Sequence, residues 1–255
     1  MVLRKYIKSC CLIFSMLFLV NHSLAQENEP TLPQYLLIHF AYSFQNPGAD
    51  MADRFGSNSA LGLGFDYLNS KNFIFGVHGD FLFGRNVNED VLWNLRNSDG
   101  QIIGNNRGIA NISLVQRGLH TTLVFGKLIP FKKSNPRLGL RLTVGAGFFQ
   151  HKIKIQQDPQ SLVPQTEGEY AKGYDRLTNG FSISQFIGIQ KVSDDKKLNF
   201  MLGLELVQGF TSSQRSFDFD RRATDTTKYF DFLLGGKIAY TLPFEIGGNP
   251  DEIFY

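Results

Sequence analysis

Cysteine is almost missing from this 255-residue sequence, which contains only Cys10 and Cys11, both within the first 25 residues. Residues 1–25 have the pattern of a cleaved secretory signal peptide, with a basic start, an apolar run and the small residues Ser23 and Ala25 at the expected cleavage site. The predicted mature chain therefore contains no cysteine, which excludes a disulfide framework and thiolate chemistry. We expect the chain to be exported.

Long apolar runs are also missing. The longest, residues 10–20, is about half of the roughly 20 residues that a membrane-spanning helix requires. A bilayer can be crossed only by helices or closed barrels, because these satisfy all their backbone hydrogen bonds internally. Any membrane passage by this chain is therefore predicted to use strands.

An excess of either charge sign is missing from the predicted mature chain. The sequence has 26 basic and 23 acidic residues, and removing Arg4, Lys5 and Lys8 with the signal peptide leaves 23 of each. Nucleic-acid-binding proteins usually carry a basic face, so no nucleic-acid partner is expected. The remaining length of about 230 residues suits a single domain.

The sequence does contain apolar and aromatic residues at every second position in eight separate runs. In residues 34–44, Leu36, Ile38 and Phe40 belong to one face, while His39 and Ser43 belong to the other. A period of two predicts strands. The connections alternate between short and long, a sorting that a soluble sandwich would not show and that is typical of a transmembrane β-barrel.

These runs predict an all-β fold, an eight-stranded antiparallel transmembrane β-barrel with short periplasmic turns and four long extracellular loops. The predicted strands are 34–44, 58–68, 73–84, 115–128, 138–155, 180–192, 198–211 and 229–244. The predicted domains are the signal peptide 1–25, an N-terminal periplasmic segment 26–33, the barrel 34–244 and a periplasmic C-terminal tail 245–255.

The outward aromatic residues are predicted to lie at two heights, as the two membrane interfaces select. The loop-end girdle comprises Phe44, Phe83, Phe148, Phe181, Phe210 and Phe230. The turn-end girdle comprises Tyr67, Phe73, Phe125, Phe200 and Phe244.

The inward positions are predicted to form a charged core, because eight strands enclose an interior that side chains fill. Acids and bases are nearly balanced there, and pairing offsets the cost of burying them. The predicted structural charge network consists of His39, Asp66, His78, Asp80, His120, Arg141, Glu205 and Lys237. Six of them are expected in one middle layer: His78, Asp80, His120, Arg141, Glu205 and Lys237.

Two functional interpretations of this interior stay open. His39, His78 and His120 could ligate a metal, but they come from different strands without a local spacing signature, and histidines bonded to carboxylates explain them equally well. A narrow ion path gated by the charges is the other alternative. We predict a structural role, with no metal and no cofactor.

An enzyme would need a nucleophile, a base and an orienting group that converge near the bilayer edge. The nearest candidates are Ser182, His151 and Asp231, but no motif connects them. We therefore predict no catalytic residues, and an enzyme acting on lipid A or peptides is a distant alternative.

The second long loop contains a candidate contact surface. Residues 88–95 have a capping residue, early acids and apolar residues on one side, which predicts a short amphipathic helix. Its candidate partner contacts are Val91, Leu92, Trp93 and Leu95. The alternative is that this helix folds over the barrel mouth as a lid.

The tail offers a second set of candidate contacts, Ile253, Phe254 and Tyr255. Residues 247–250 break regular structure and give this apolar end reach. The tail could dock into the insertion machinery, bind a periplasmic partner, or fold under the barrel.

Six stretches resemble small eight-stranded outer-membrane β-barrel proteins of Bacteroidota, of OmpA/OmpX-type architecture. They are 48–56 (GADMADRFG), 116–118 (QRG), 125–130 (FGKLIP), 150–155 (QHKIKI), 172–178 (KGYDRLT) and 250–255 (PDEIFY). The resemblance implies this fold and a location in the outer membrane of a Gram-negative bacterium, but no particular activity.

The sequence thus leads to three ranked hypotheses of function. The first is a non-enzymatic outer-membrane barrel that acts as an accessory or partner-binding subunit of an assembly or secretion complex. The second is a stand-alone structural or pore-forming barrel, and the third is the enzyme. The expected partners are outer-membrane lipids and proteins of an outer-membrane complex.

Overall fold

The computed structural model of this chain describes residues 32–193 and 198–246. The predicted signal peptide, residues 26–31 and residues 247–255 of the predicted tail lie outside the described residues. Eight antiparallel strands form a closed barrel in which each strand pairs with its sequence neighbours and β8 pairs with β1. The strands are β1 Gln34–Ala49, β2 Asn58–Leu68, β3 Phe73–Gly84, β4 Ile112–Lys132, β5 Asn135–Gln157, β6 Thr178–Lys191, β7 Phe200–Ser213 and β8 Lys228–Ile246. The predicted fold class is confirmed.

The ends of several strands differ from the prediction. β4 and β5 extend beyond their neighbours at the loop end, where Ile112 pairs with Gln157. β1 continues through Pro47, which pairs with Leu233 of β8. β2 begins only at Asn58, so this part of β1 has one open edge, the setting in which a strand tolerates proline.

The outer face of the barrel is apolar and the inner face is polar. On β2, Leu61, Leu63 and Phe65 are exposed, whereas Asp66 points inward and is fully buried. Outward aromatic rings contact one another at both ends: Phe75 and Phe125 have centroids 5.1 Å apart toward the short turns. An apolar exterior around a polar interior is the arrangement of a barrel surrounded by lipid.

Within residues 32–193 and 198–246, no helix has the length and apolar character needed to cross a bilayer. The single α-helix of this part of the chain, α1 Asp50–Arg54, lies in the first long loop. The predicted helix at 88–95 was wrong, because only residues 93–95 form a 3-10 turn. Asp90 accepts a hydrogen bond from the N–H of Leu92 (3.1 Å), and this local turn competes with helix formation.

Apolar layers close the barrel interior at both ends. Toward the short turns, the layer consists of Tyr35, Leu37, Leu68, Ile74, Leu128 and Val192. At the loop end, a larger layer combines barrel residues such as Phe149, Ile153 and Leu233 with residues of three loops. The charged residues of the lumen lie between them, around a smaller apolar group of Ala41, Phe186, Met201 and Ala239.

Candidate functional site

Asp66 of β2 is the centre of the first charge cluster in the lumen. Its carboxylate is 2.7 Å from Nη2 of Arg141 and accepts hydrogen bonds from Nε2 of His39 (2.8 Å) and of His78 (2.9 Å). A carboxylate only accepts hydrogen bonds, so both imidazoles carry a hydrogen on Nε2. Thr241 completes the set by donating to Nδ1 of His39 (2.8 Å).

Lys237 of β8 is the centre of the second charge cluster. Its Nζ lies 3.0 Å from Asp80 and 2.9 Å from Glu205. His120 is more distant, with Nδ1 at 3.9 Å from the Asp80 carboxylate. One lysine therefore compensates two carboxylates.

All eight predicted lumen residues are buried in the barrel, but the six that were expected in one middle layer are divided between the two clusters. Arg141 and His78 contact Asp66 rather than Asp80 or Glu205. The strands of a closed barrel are tilted and staggered, so residues counted equally from the turns do not lie at equal heights. Within the described part of the chain, no group of three or more His, Cys, Asp or Glu side chains is arranged to hold a metal ion.

The structure brings together two of the three candidate catalytic residues. His151 Nε2 lies 2.8 Å from Asp231 Oδ2, which also accepts a hydrogen bond from Thr211 (2.6 Å). Ser182 pairs with Gly147, whereas His151 pairs with Thr178, four positions away on β6. Sequence reasoning missed Thr178 and Thr211 as neighbours of His151 and Asp231, although both threonines occupy inward positions of their strands.

This histidine–carboxylate pair is closed to substrate. His151 is 1% exposed and Asp231 is 2% exposed. The ring of Phe149 lies 5.3 Å from the imidazole, and that of Phe55 lies 5.5 Å from it. A hydrolase needs room for a reacting carbonyl beside its nucleophile, so the arrangement supports a structural role for His151.

The four long loops form one body at the barrel mouth, which we call the loop cap (residues 50–57, 85–111, 158–177 and 214–227). Arg176 of the third loop binds Asp218 (3.0 Å) and Asp220 (2.6 Å) of the fourth, and Glu89 (2.9 Å) of the second. Its guanidinium is almost fully buried. Burial alone would lower the pKa of Arg176, but the three carboxylates have the larger effect. They raise the pKa of Arg176 above its ordinary value.

Glu89 connects the remaining loop to this network. Its carboxylate binds Arg54 of the first loop (3.2 Å) and Arg221 of the fourth (2.6 Å), as well as Arg176. Sequence reasoning missed Glu89 and Arg176, because irregular loops have no periodicity that would indicate which charges meet.

An apolar layer beneath these ion pairs seals the mouth. Val91 and Leu92 of the second loop are buried in it, with 0% and 1% exposure. They were predicted as partner contacts, and this was wrong, because the loop folds inward and leaves them inaccessible. Leu95 packs against the same layer and is partly buried. Val91, Leu92 and Leu95 therefore match the alternative prediction, in which this segment folds over the barrel mouth as a lid.

The outer surface of the loop cap nevertheless displays large apolar side chains. Trp93, the only tryptophan of the chain, is 59% exposed. The exposed set is Trp93, Ile103, Ile109, Tyr170, Phe217 and Phe219. The tail candidates Ile253, Phe254 and Tyr255 lie outside the described residues.

No protein-family model and no curated protein matches this sequence. Among solved structures, Ail of Yersinia pestis, in complex with the heparin analogue sucrose octasulfate, has 10% sequence identity and a TM-score of 0.37, covering 83% of this chain and 100% of Ail. OprG of Pseudomonas aeruginosa has 10% identity and a TM-score of 0.37, covering 83% of this chain and 97% of OprG. The N-terminal β-barrel domain of Pseudomonas aeruginosa OprF has 11% identity and a TM-score of 0.36, covering 81% of this chain and 97% of the OprF domain. Similarity at this level says nothing about function.

Proposed function

We propose that this protein is a non-enzymatic outer-membrane β-barrel whose loop cap binds a protein partner, as an accessory subunit of an outer-membrane assembly or secretion complex. The observation that carries the proposal is the loop cap itself. It is held rigid from within and displays apolar and aromatic residues on its outside.

The location follows from the outer surface of the barrel. A closed eight-stranded barrel with an apolar exterior belongs in a bilayer, and bacterial barrels of this kind occupy the outer membrane. In that orientation the short turns face the periplasm and the loop cap faces the cell exterior. The lipid bilayer is then the first partner of the chain.

The second partner is proposed to be a protein bound at the loop cap. Large apolar side chains that stay in water lack the stabilisation that Val91 and Leu92 gain by burial in the sealing layer. Trp93, Tyr170 and Ile109 stay outside. Aromatic residues on a rigid base are the typical centres of protein interfaces, because little conformational entropy is lost on binding.

The contents of the lumen disfavour the pore alternative. The layers around Leu37 and Phe149 close its two ends, and the charge clusters around Asp66 and Lys237 fill the space between. An ion would have to displace buried, paired charges, which is expensive. The enzyme alternative is disfavoured by the enclosure of His151.

Site-specific photo-crosslinking in intact cells tests the proposal. A photoreactive residue replaces Trp93 or Ile109, and a matched control replaces Leu123, which is 67% exposed on the barrel exterior. We expect one protein adduct from both loop positions and none from position 123. The Trp93 position should lose the adduct when Ile109→Asp is added. Absence of a protein adduct from both loop positions, with normal barrel assembly, contradicts the proposal.

A further inference from the structure

A group of four cations lies on the outer side of the barrel at the loop ends of β3, β4 and β5, and none of the four contacts the lumen charges. It consists of Arg85, Arg117, Lys152 and Lys154, which we call the basic patch. Arg117 has the outward parity of Leu119 and Leu123, and the two lysines have that of Phe148, all of which are exposed. The patch therefore faces away from the barrel axis.

Strand register places these cations side by side. Arg117 is directly opposite Lys152, and Val115 is directly opposite Lys154. Arg85 follows Gly84, the partner of Gln116, and lines a concave surface together with Val115, Ser113 and Gln156. Directly opposite side chains have Cβ atoms about 5 Å apart, so one anionic group can contact several of these cations.

The carboxylates of the described chain leave most of this charge uncompensated. Arg85, Arg117 and Lys154 form no ion pair within residues 32–193 and 198–246, and one N–H of Arg117 donates to its neighbouring carbonyl of Gln116. Lys152 lies 3.9 Å from Asp175, which is already engaged by Arg215. Like charges directly opposite each other destabilise a sheet, and an external anion would remove that cost.

The height of the patch identifies the kind of anion. Arg117 pairs with Phe83 on one side, and the next outward residue below it is Leu119, opposite Phe81. Aromatic outward residues mark the level of the lipid headgroups. Arg117 and Lys152 lie level with Phe83, and Arg85 and Lys154 lie one outward position above it, about 7 Å higher, which is where the phosphates of a lipid headgroup would be.

We propose that the basic patch is a binding site for the phosphates of a lipid headgroup in the outer leaflet, namely a bisphosphorylated glycolipid of the lipid A type. Its acyl chains would lie along Phe81, Leu119 and Leu123 of the barrel exterior. Arginine and lysine supply charge-assisted hydrogen bonds to phosphate oxygens. The proposal rests on the outer-membrane orientation proposed above, but not on the protein partner.

Native mass spectrometry of the full-length protein, refolded free of lipid, tests this site. The probes are bisphosphorylated lipid A, its monophosphorylated form, phosphatidylglycerol and inorganic phosphate. The double variant R117Q/K152Q is compared with K132Q/K133Q, which removes two exposed lysines near the opposite end of the same strand pair. Neither variant substitutes a residue of the lumen or of the loop cap, Asp175 keeps its ion pair with Arg215, and heat-modifiable gel mobility verifies folding.

We expect R117Q/K152Q to bind bisphosphorylated lipid A on the order of 30-fold more weakly, because each cation near a membrane surface contributes about a factor of five. K132Q/K133Q should bind as the wild type does. Equal lipid A affinity of the two double variants would overturn the proposal. So would wild-type binding of phosphatidylglycerol or inorganic phosphate as tight as that of bisphosphorylated lipid A. If either of these two results is obtained while the crosslinks from the loop cap persist, the lipid site is refuted and the proposed protein partner is not.

Discussion

Arg176 Nε and Glu89 Oε1 lie 2.9 Å apart although the two residues are 87 positions apart in the chain. The contact joins the third long loop to the second, and Glu89 also binds Arg54 and Arg221 of the first and fourth. One carboxylate thus holds four loops over the barrel mouth. The proposed partner surface depends on this rigidity.

The first prediction concerns Glu89. Glu89→Gln leaves three arginines without a shared carboxylate, and breaking such a largely buried network costs about 3 kcal/mol. Because the loops, rather than the strands, lose their connection, we expect faster proteolysis and faster hydrogen exchange in residues 85–111 and 158–177. The matched control is Asp90→Asn, since Asp90 pairs with Arg96 at the surface, where both side chains are about 40% exposed and the pair is worth about 0–1 kcal/mol. Equal loop protection in the two variants would contradict the network.

The strands could be predicted from sequence where alternation is strict and turns are marked. The bounds of β2 and β3 match the prediction, because residues 69–72 interrupt two regular apolar faces. The extensions of β4 and β5 were missed, since Gln156 and Gln157 are polar on both faces and show no alternation. Where a strand extends above the membrane, both of its faces are polar, so the sequence shows no alternation of apolar and polar residues.

The contents of the site were less predictable than the fold. Inward parity identified Asp66 and Arg141 as lumen residues, but their pairing depends on strand stagger, which a single sequence does not contain. Glu89 and Arg176 are in loops, where charge partners are fixed only after the barrel brings distant segments together. The orientation of Val91 likewise depends on the barrel mouth beneath it.

The second prediction compares the two lumen clusters. Asp66→Asn removes the carboxylate that binds the fully buried Arg141, which should destabilise the barrel by about 3–5 kcal/mol. Glu205→Gln should cost less, because Asp80 still compensates Lys237. The measurement is urea unfolding of the refolded protein in lipid vesicles. A larger loss for Glu205→Gln than for Asp66→Asn would contradict the assignment of the clusters.

The third prediction concerns pH and Asp225 in the fourth loop. Burial alone would raise the pKa of this carboxyl, but the hydroxyl of Tyr229 and the backbone N–H of Thr227 donate hydrogen bonds to it and hold its pKa below the ordinary value of 3.8. A lowered carboxyl pKa contributes stability above pH 3.8 that is lost as the pH falls through the lowered pKa.

Tyr229→Phe removes the stronger donor and should move the pKa of Asp225 upward. Carbon-detected NMR titration of the carboxyl measures this directly, and Thr224→Val, which changes a hydroxyl that donates to Ser216 instead, is the control. An unchanged Asp225 titration in Tyr229→Phe would show that this hydrogen bond does not form.

The most direct test of a lipid-facing barrel uses two equally apolar and similarly exposed residues. Leu123 is 67% exposed on the outer face of β4, and Ile109 is 61% exposed in the loop cap. Leu123→Arg should cost about 2–4 kcal/mol of the free energy of unfolding in a bilayer, as expected near its midplane. Ile109→Arg should stay within about 0.5 kcal/mol, as surface substitutions do. Unfolding both variants by denaturant in vesicles gives the comparison: a large difference is predicted, and equal tolerance of the two arginines would contradict the membrane-spanning barrel.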